Sequence, residues 1–433
     1  MAAPPIEATI FAYQVGFGDC FLLRFGYADK SRRHVLFDFG TTGLPEHASS
    51  KQMLEVANDI HAKVREADAA ERLDVLVATH RHADHISGFA TRDGKGPGDV
   101  IRQLDPKVIV QPWTEAPDAP TDWLGPEGKD KGQAFARRRA SLAAMQTVAG
   151  HAANYADENR RHLNPAIADQ LKFIGEDNLS NLSAIKNLQS MSGRHEFVFH
   201  GCDVNLEAVL PGIAVHVLGP PTLRQTETIR KQRSRDADEF WQLAPKRFSD
   251  STGATKGKPL FPGAPTIPGT RLLLEQRWLA RRIDKANAEL MLGLVRALDD
   301  QMNNTSVILL LQAGNKTLLF PGDAQLENWA YALQSDLAPL LDGVDLYKVG
   351  HHGSLNATPK SMWKRFGKRG KSGAPGRLTS VLSTKHGKHG HDETNTEVPR
   401  RTLVHELEEQ SDLYSTEKLA DDRLYQEIRI ALR

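Results

Sequence analysis

The segment Val77-Ala78-Thr79-His80-Arg81-His82-Ala83-Asp84-His85-Ile86-Ser87-Gly88 decides how this chain is read. It puts three imidazoles and a carboxylate within six residues, directly after the apolar run 73–79. A run with almost no polar alternation reads as a strand buried on both faces. Loops at the ends of buried strands are the usual place for chemistry in α/β folds. In an extended segment His80 and His82 share a side, so they can hold one metal ion. Asp84 and His85, at the start of the helix that should follow, can hold a second.

Upstream, residues 9–15, 20–25 and 34–39 are short β-branched and aromatic runs divided by turns, which predicts three consecutive strands. Asp38 falls at the end of the third, just before Gly40, and a charged helix is expected over 50–69. Downstream, from about residue 112 to 301, long charged stretches predict helices, including 132–161 and 269–300, around short strands near 196–200 and 213–218. Within them, 224–268 is rich in Lys, Arg, Gly, Pro and Ser and weak in periodicity, the composition of an exposed flexible loop. The strand pattern resumes over 306–320, where Gly314-Asn315 suits a hairpin turn, and Pro321-Gly322-Asp323 follows at once. A helix over 325–334 and strands over 345–349 and 379–383 come next. Those two strands lead into Gly350-His351-His352-Gly353-Ser354 and into the histidine-rich stretch 384–393. Residues 401–410 look helical, and 424–432 alternate as an edge strand does. The chain therefore divides into residues 1–111, a mainly helical insertion or cap over 112–300, and residues 301–433 that complete the first part.

Composition narrows the class. At 433 residues with 40% hydrophobic and 25% charged, the chain can bury a large core, which excludes disorder and small stapled scaffolds. A net charge of +1 means that attraction to nucleic acid has to come from local patches. Two cysteines, Cys20 and Cys202, exclude a disulfide framework and a cysteine-rich zinc site. With no long apolar run and no signal-like start, the expectation is a cytoplasmic chain that no membrane holds. Histidine stands out, with 17 residues of which several are packed into three short stretches.

Taken in order, Val15-Gly16-Phe17-Gly18-Asp19, the histidine segment, Asn303-Asn304-Thr305-Ser306, the Asp323 turn, the His351-His352 turn and the late His389-Gly390-His391 resemble the metallo-β-lactamase superfamily. They are most similar to the nuclease domain of the DNA-uptake protein ComEC and its stand-alone cytoplasmic relatives. The likeness covers roughly residues 7–110 and 300–400, and neither the insertion nor the last thirty residues. It implies an α/β fold, an αββα sandwich of two mixed sheets with the metals at one edge, and a cofactor of two divalent ions, Zn²⁺ or Mn²⁺. The implied metal ligands are His80, His82, Asp84, His85, Asp323 as bridge, and one of His351 and His352; spacing does not say which. Asp19 and Asp38 would support these ligands from behind. The wider superfamily has a third histidine where Asn303 and Asn304 stand, so an asparagine amide or water would replace it, as in this branch.

The implied activity is a phosphodiesterase, a nuclease acting on DNA or RNA through a metal-activated hydroxide that Asp84 and Asp323 orient. His391 would contact phosphate or protonate the leaving group, with His386, His389 and Lys385 as substrate contacts. Between Lys360 and Lys388 there are nine Lys or Arg and no acidic residue, which reads either as capture of a polyanion or as a solvated loop. A regulatory protein or protease acting on 224–268 is a further expectation. The competing readings are a hydrolase of a small ester, lactone or phosphoester on the same fold, and a non-catalytic binding protein.

Overall fold

The computed structural model describes residues 4–66, 71–116, 155, 171, 182–191, 194–226, 303–354, 356, 358–389 and 397–432. The helical stretches expected over 132–161 and 269–300 and the basic loop expected over 224–268 lie wholly or almost wholly outside them, as does His391. The fold is mixed α/β, with two mixed sheets.

The first sheet holds β1 (Glu7–Tyr13), β2 (Phe21–Gly26), β3 (Arg32–Phe37), β4 (Val75–Val77), β5 (Val108–Pro112), β6 (His195–Val198) and, from the other end of the chain, β13 (Tyr425–Ala431). Its order is β13-β1-β2-β3-β4-β5-β6. The strands from β13 to β3 pair antiparallel and those from β3 to β6 parallel. The second sheet holds β7 (Ile213–Gly219), β8 (Ile308–Ala313), β9 (Lys316–Phe320), β10 (Leu346–Lys348), β11 (Thr379–Leu382) and β12 (Asp412–Ser415). Its order is β12-β11-β10-β9-β8-β7, antiparallel from β7 to β9 and parallel from β9 to β12. β6 and β7 come from the stretch read as an insertion, and each is an edge strand of one sheet. That part of 112–300 belongs with the sheets.

Side chains alternate between two environments along each strand, because successive Cβ atoms point to opposite faces. Phe21, Leu23, Val35, Phe37, Val75 and Val77 share one cluster with Leu309, Leu311, Leu318, Phe320, Leu346 and Val381 of the second sheet. Phe37 stacks on Phe320 across the two sheets, with centroids 4.4 Å apart. The residues between them, such as Leu22, Leu36 and Leu76, face outward onto helices α1 (Gln52–Val64), α3 (Pro97–Arg102) and α4 (Leu182–Met191). On the other side Ile308, Leu310, Leu319, Tyr347 and Leu382 meet α5 (Leu326–Gln334), α6 (Lys360–Trp363) and α7 (Arg401–Gln410). Both faces of the central strands are covered, which is why their sequences carry no polar alternation. Helix α1 shows the complementary period, with Val56, Ala57, Ile60 and Val64 on its buried side.

The hairpin at Gly314-Asn315 closes β8 onto β9, and Gly314 has φ +56°. A Cβ there would lie 1.9 Å from the Leu432 carbonyl oxygen, so the C-terminal strand and this turn fit only around glycine. No helix among the described residues is long and apolar enough to cross a membrane.

His34 on β3 is 1% exposed among Arg24, Arg32, Arg33 and Lys107; burial, then these cations, push its imidazole down from 6.5 to about 3. A folded pKa below the unfolded one means the unfolded chain takes the proton first. The stability is whole above about pH 6.5 and falls by about 1.4 kcal/mol per pH unit toward pH 3. In chelator, His34→Leu should flatten the fall of unfolding free energy between pH 6 and pH 4 by about that slope. Denaturant titrations that give parallel pH profiles for both proteins would refute this.

Candidate metal centre

The parallel halves of both sheets deliver their loops to one place. After β4 the chain stays extended through His82, then turns into the single helical turn α2 (Ala83–Ile86). His82 has φ −59° and ψ 150°, and its carbonyl accepts from the amides of His85 and Ile86. This change from strand to helix makes the six-residue segment converge: His80, His82, Asp84 and His85 are all buried.

Asp38 holds the segment from behind. Its Oδ1 accepts from the Thr79 amide at 2.7 Å, and its Oδ2 accepts from Thr79 Oγ1 at 2.7 Å and from His85 Nδ1 at 2.8 Å. With the Thr79 hydroxyl proton given to Asp38, His80 Nδ1 at 3.2 Å is the donor to Thr79 Oγ1. Each histidine is thereby fixed in one orientation, with Nε2 turned inward. His80 Nε2 stands 3.0 Å from His82 Nδ1. Arg81, between the two, points outward and pairs with Glu115, which ties the segment to the end of β5.

Asp323 arrives from β9 through Gly322, whose φ is +54°; a Cβ there would lie 2.7 Å from the Thr79 side chain, so glycine lets the two loops touch. The Asp323 amide donates to Ser306 Oγ and its Oδ1 accepts from the His351 amide at 3.0 Å. Its Oδ2 faces His85 Nε2 at 3.0 Å and His352 Nε2 at 3.6 Å. The 3.0 Å contact lacks hydrogen-bond alignment, and among the described residues His85 Nε2, Asp323 Oδ2 and Asp84 Oδ1 have no hydrogen-bond partner although they are buried. Atoms that crowd together without aiming at each other are what ligands of a common ion look like.

The His351-His352 pair is resolved by backbone conformation. Both residues adopt left-handed φ, +43° and +51°, a conformation that costs non-glycine residues energy and recurs at functional sites. It turns His352 inward: its Nδ1 donates to the Ser383 carbonyl at 3.0 Å and its Nε2 lies 2.8 Å from Asp84 Oδ2. The His351 ring instead meets Ser354 Oγ at 2.8 Å.

Three groups of ligand atoms lie within 4.8 Å of one another among the described residues: Asp84, His85, Asp323 and His352; His80, His82 and Asp84; and Asp19, Asp38 and His85. These buried His and Asp groups could bind a metal ion. Asp84 is common to the first two, the place that the sequence resemblance gave to Asp323. The donors are imidazole and carboxylate, a set open to several divalent ions. Burial, then the neighbouring imidazoles, push His80 well down, and burial lowers His82 to about 4, so both are neutral and ready to ligate. Burial opposes charge on His85 and His352, but the surrounding aspartates outweigh it and raise both. Burial also works against ionised Asp84 and Asp323, and the adjacent cationic groups, His85 first, prevail and lower them.

The other expected residues fall at differing distances from this cluster. Asn303 and Asn304 are buried; neither amide atom of Asn303, nor Asn304 Oδ1, has a hydrogen-bond partner among the described residues. Their segment reaches both metal-side loops, through Ser306 to Asp323 and through the Val307 amide to the Thr79 carbonyl. His389 packs on Phe17 at 4.2 Å, and Phe17 on His352 at 4.3 Å; burial, then Lys388, lower His389 to about 3. His386 is exposed, and Lys385 donates to the Leu44 carbonyl. His200 and His216, two histidines of the 112–300 stretch that could have replaced the missing third ligand, bond instead to the Leu218 carbonyl and to Gln312. Several of the nine basic residues have structural work: Arg365 pairs with Asp342, Lys368 with Asp345, Arg377 with Asp412, and Arg369 donates to backbone carbonyls. Thr79, Ser383 and Lys348 were not singled out by sequence; the last had a visible signal, a lysine closing the otherwise apolar LYK strand.

Compared with known proteins, the chain matches no family model and no curated protein.

The two adjacent histidines should separate cleanly. His352→Ala should lower the affinity for Zn²⁺ or Mn²⁺ by about a hundredfold or more, and His351→Ala by much less. Metal content after equilibrium dialysis measures both, and equal losses would show that the ring orientations are misassigned.

Proposed function

We propose that this chain is a metal-dependent phosphodiesterase, a nuclease of the metallo-β-lactamase kind. The observation that carries the reading is the convergence of His80, His82, Asp84, His85, Asp323 and His352 in a buried cluster, in which Asp84 Oδ1, His85 Nε2 and Asp323 Oδ2 have no hydrogen-bond partner among the described residues. Nothing in packing calls for so many hydratable groups at one strand edge, and a site for cations accounts for them. The αββα sandwich expected of that family agrees with an apolar cluster between the sheets and one more on the outer side of each.

In this reading His80, His82 and Asp84 hold one divalent ion, and Asp84, His85, Asp323 and His352 hold a second. Divalent ions at such a site supply Lewis acidity and water of lowered pKa. The chain's own part is to fix the ligands. Asp38 orients His85, the Ser383 carbonyl orients His352, and Lys348 with the His351 amide orients Asp323. Phe17 packs over His352 and the cluster side chains are buried, which strengthens every charge interaction among them. His389, held neutral by burial beside Phe17, would meet a substrate as a hydrogen-bonding group and not as a base.

Single- and double-stranded DNA and RNA should be incubated with Mn²⁺, Zn²⁺ or Mg²⁺ and the wild type compared with Asp323→Ala, His82→Ala and His352→Ala. Metal-dependent cleavage that falls by about a hundredfold or more in all three is the expected result. Intact and lightly trypsin-treated protein should both be assayed. If every nucleic acid survives both preparations while a small phosphodiester or lactone is hydrolysed, the nuclease reading fails and the hydrolase reading replaces it.

A further inference from the structure

Lys348, the last residue of β10, is a buried charge among the metal-side carboxylates that is itself no ligand. Its ammonium contacts the Asp19 carboxylate and lies 3.2 Å from the Gly322 carbonyl oxygen and 3.4 Å from Asp323 Oδ1. Flanked by two carboxylates and a carbonyl oxygen and shut off from water, the amine is held as a cation by its contacts.

Its position divides the cluster. Asp323 becomes two-sided, with Oδ1 taken by Lys348 and the His351 amide and Oδ2 left toward His85 and His352. Asp19, Asp38 and His85 qualify by distance as a third ligand group, yet the ammonium already sits against Asp19 there. The His85 nitrogen on that side is the Nδ1 that donates to Asp38. A divalent ion would have to displace both the ammonium and that proton.

We propose that Lys348 is a built-in cation of this centre: it neutralises Asp19, closes that side to a metal ion, and sets how tightly the neighbouring His/Asp groups hold theirs. The inference rests on the reading of those groups as metal ligands. A fixed positive charge on one oxygen of Asp323 repels any cation on the other, so the lysine weakens metal binding. In return it lets the chain fold before metal arrives, because without it Asp19 would be an uncompensated buried carboxylate. Loss of the ammonium leaves the His351 amide on Oδ1, so Asp323 keeps its orientation and the charge effect prevails.

The test uses the full chain with Mn²⁺ or Zn²⁺ alone as the probe. Affinity is read by competition with a chromogenic chelator, and Tm is read with metal and in excess chelator. Lys348→Met should bind metal about tenfold more tightly or better, and should lose Tm chiefly in chelator. Asp19→Asn should bind about tenfold more weakly, because the lysine charge is then unopposed. The double variant removes one charge of each sign, so the tenfold gain and the tenfold loss should cancel to within about threefold of wild type. A lysine that only fills space would lower Tm equally with and without metal and leave affinity unchanged; that result, or a double variant that binds metal as weakly as Asp19→Asn, overturns the proposal. Should Lys348→Met not fold, Asp19→Asn and Lys348→Arg decide it, the latter keeping wild-type affinity if charge is what matters. A wild type that binds no metal defeats the reading of the centre itself, and the proposal with it.

Discussion

Asp19, Asp38, Asp84 and Asp323 are each no more than 3% exposed, and the rest of the structure is arranged around that burial. An ionised carboxylate taken out of water costs several kcal/mol unless charge and hydrogen bonds compensate it. Here the compensation is distributed over separate loops. Asp38 takes three donors from Thr79 and His85, Asp84 faces His352, Asp323 receives a backbone amide and an ammonium, and Asp19 contacts the same ammonium. No carboxylate is compensated by its own loop alone. Together they therefore fix the loops after β1, β3, β4, β9 and β10 against one another.

That arrangement requires the loops to meet, and the mixed sheets see to it. Parallel neighbours release their C-terminal ends on the same side, so β3 and β4 of one sheet and β9, β10 and β11 of the other all point their exits at one edge. β1 runs the same way as β3, since both pair antiparallel with β2, and its exit brings Phe17 and Asp19 to the same edge. The apolar layer between the sheets, with Phe37 stacked on Phe320, sets the distance across which the two sets of loops must reach. Gly322 is the point where they touch, since any side chain there would strike Thr79.

Sequence reading reaches what is local and periodic. The strand run before His80, the hairpin at Gly314-Asn315, helix α7 and the final edge strand all follow from spacing and composition, and the structure has them. The choice between His351 and His352 was not readable, because it is made by two left-handed backbone conformations and a carbonyl at Ser383, thirty-one residues away. Lys348 escaped for a related reason. A lysine at a strand end reads as a solvent-facing charge, and only the arrival of Asp19 from residue distance 329 makes it a buried partner. β6 and β7 were recognised as strands but assigned to a cap, since nothing in a sequence says which sheet a strand joins. Strand β12 is short and half-exposed, with too few apolar positions to show a period.

The run of cations from Lys360 to Lys388 shows how folding changes the meaning of a charge pattern. As sequence it reads equally as capture of a polyanion or as a solvated loop, yet Arg365, Lys368, Arg369 and Arg377 hold helix α6 and strand β11 to their surroundings. An ammonium or guanidinium already paired with a carboxylate has little field left for a phosphate. Of the same run, Lys385 donates to the Leu44 carbonyl and Lys388 lays its stem over Gly43. Both belong to the rim that also carries Phe17 and His389. Among the described residues, then, four cations of this run are spent on holding the fold, and those beside Phe17 and His389 sit at the edge of the centre.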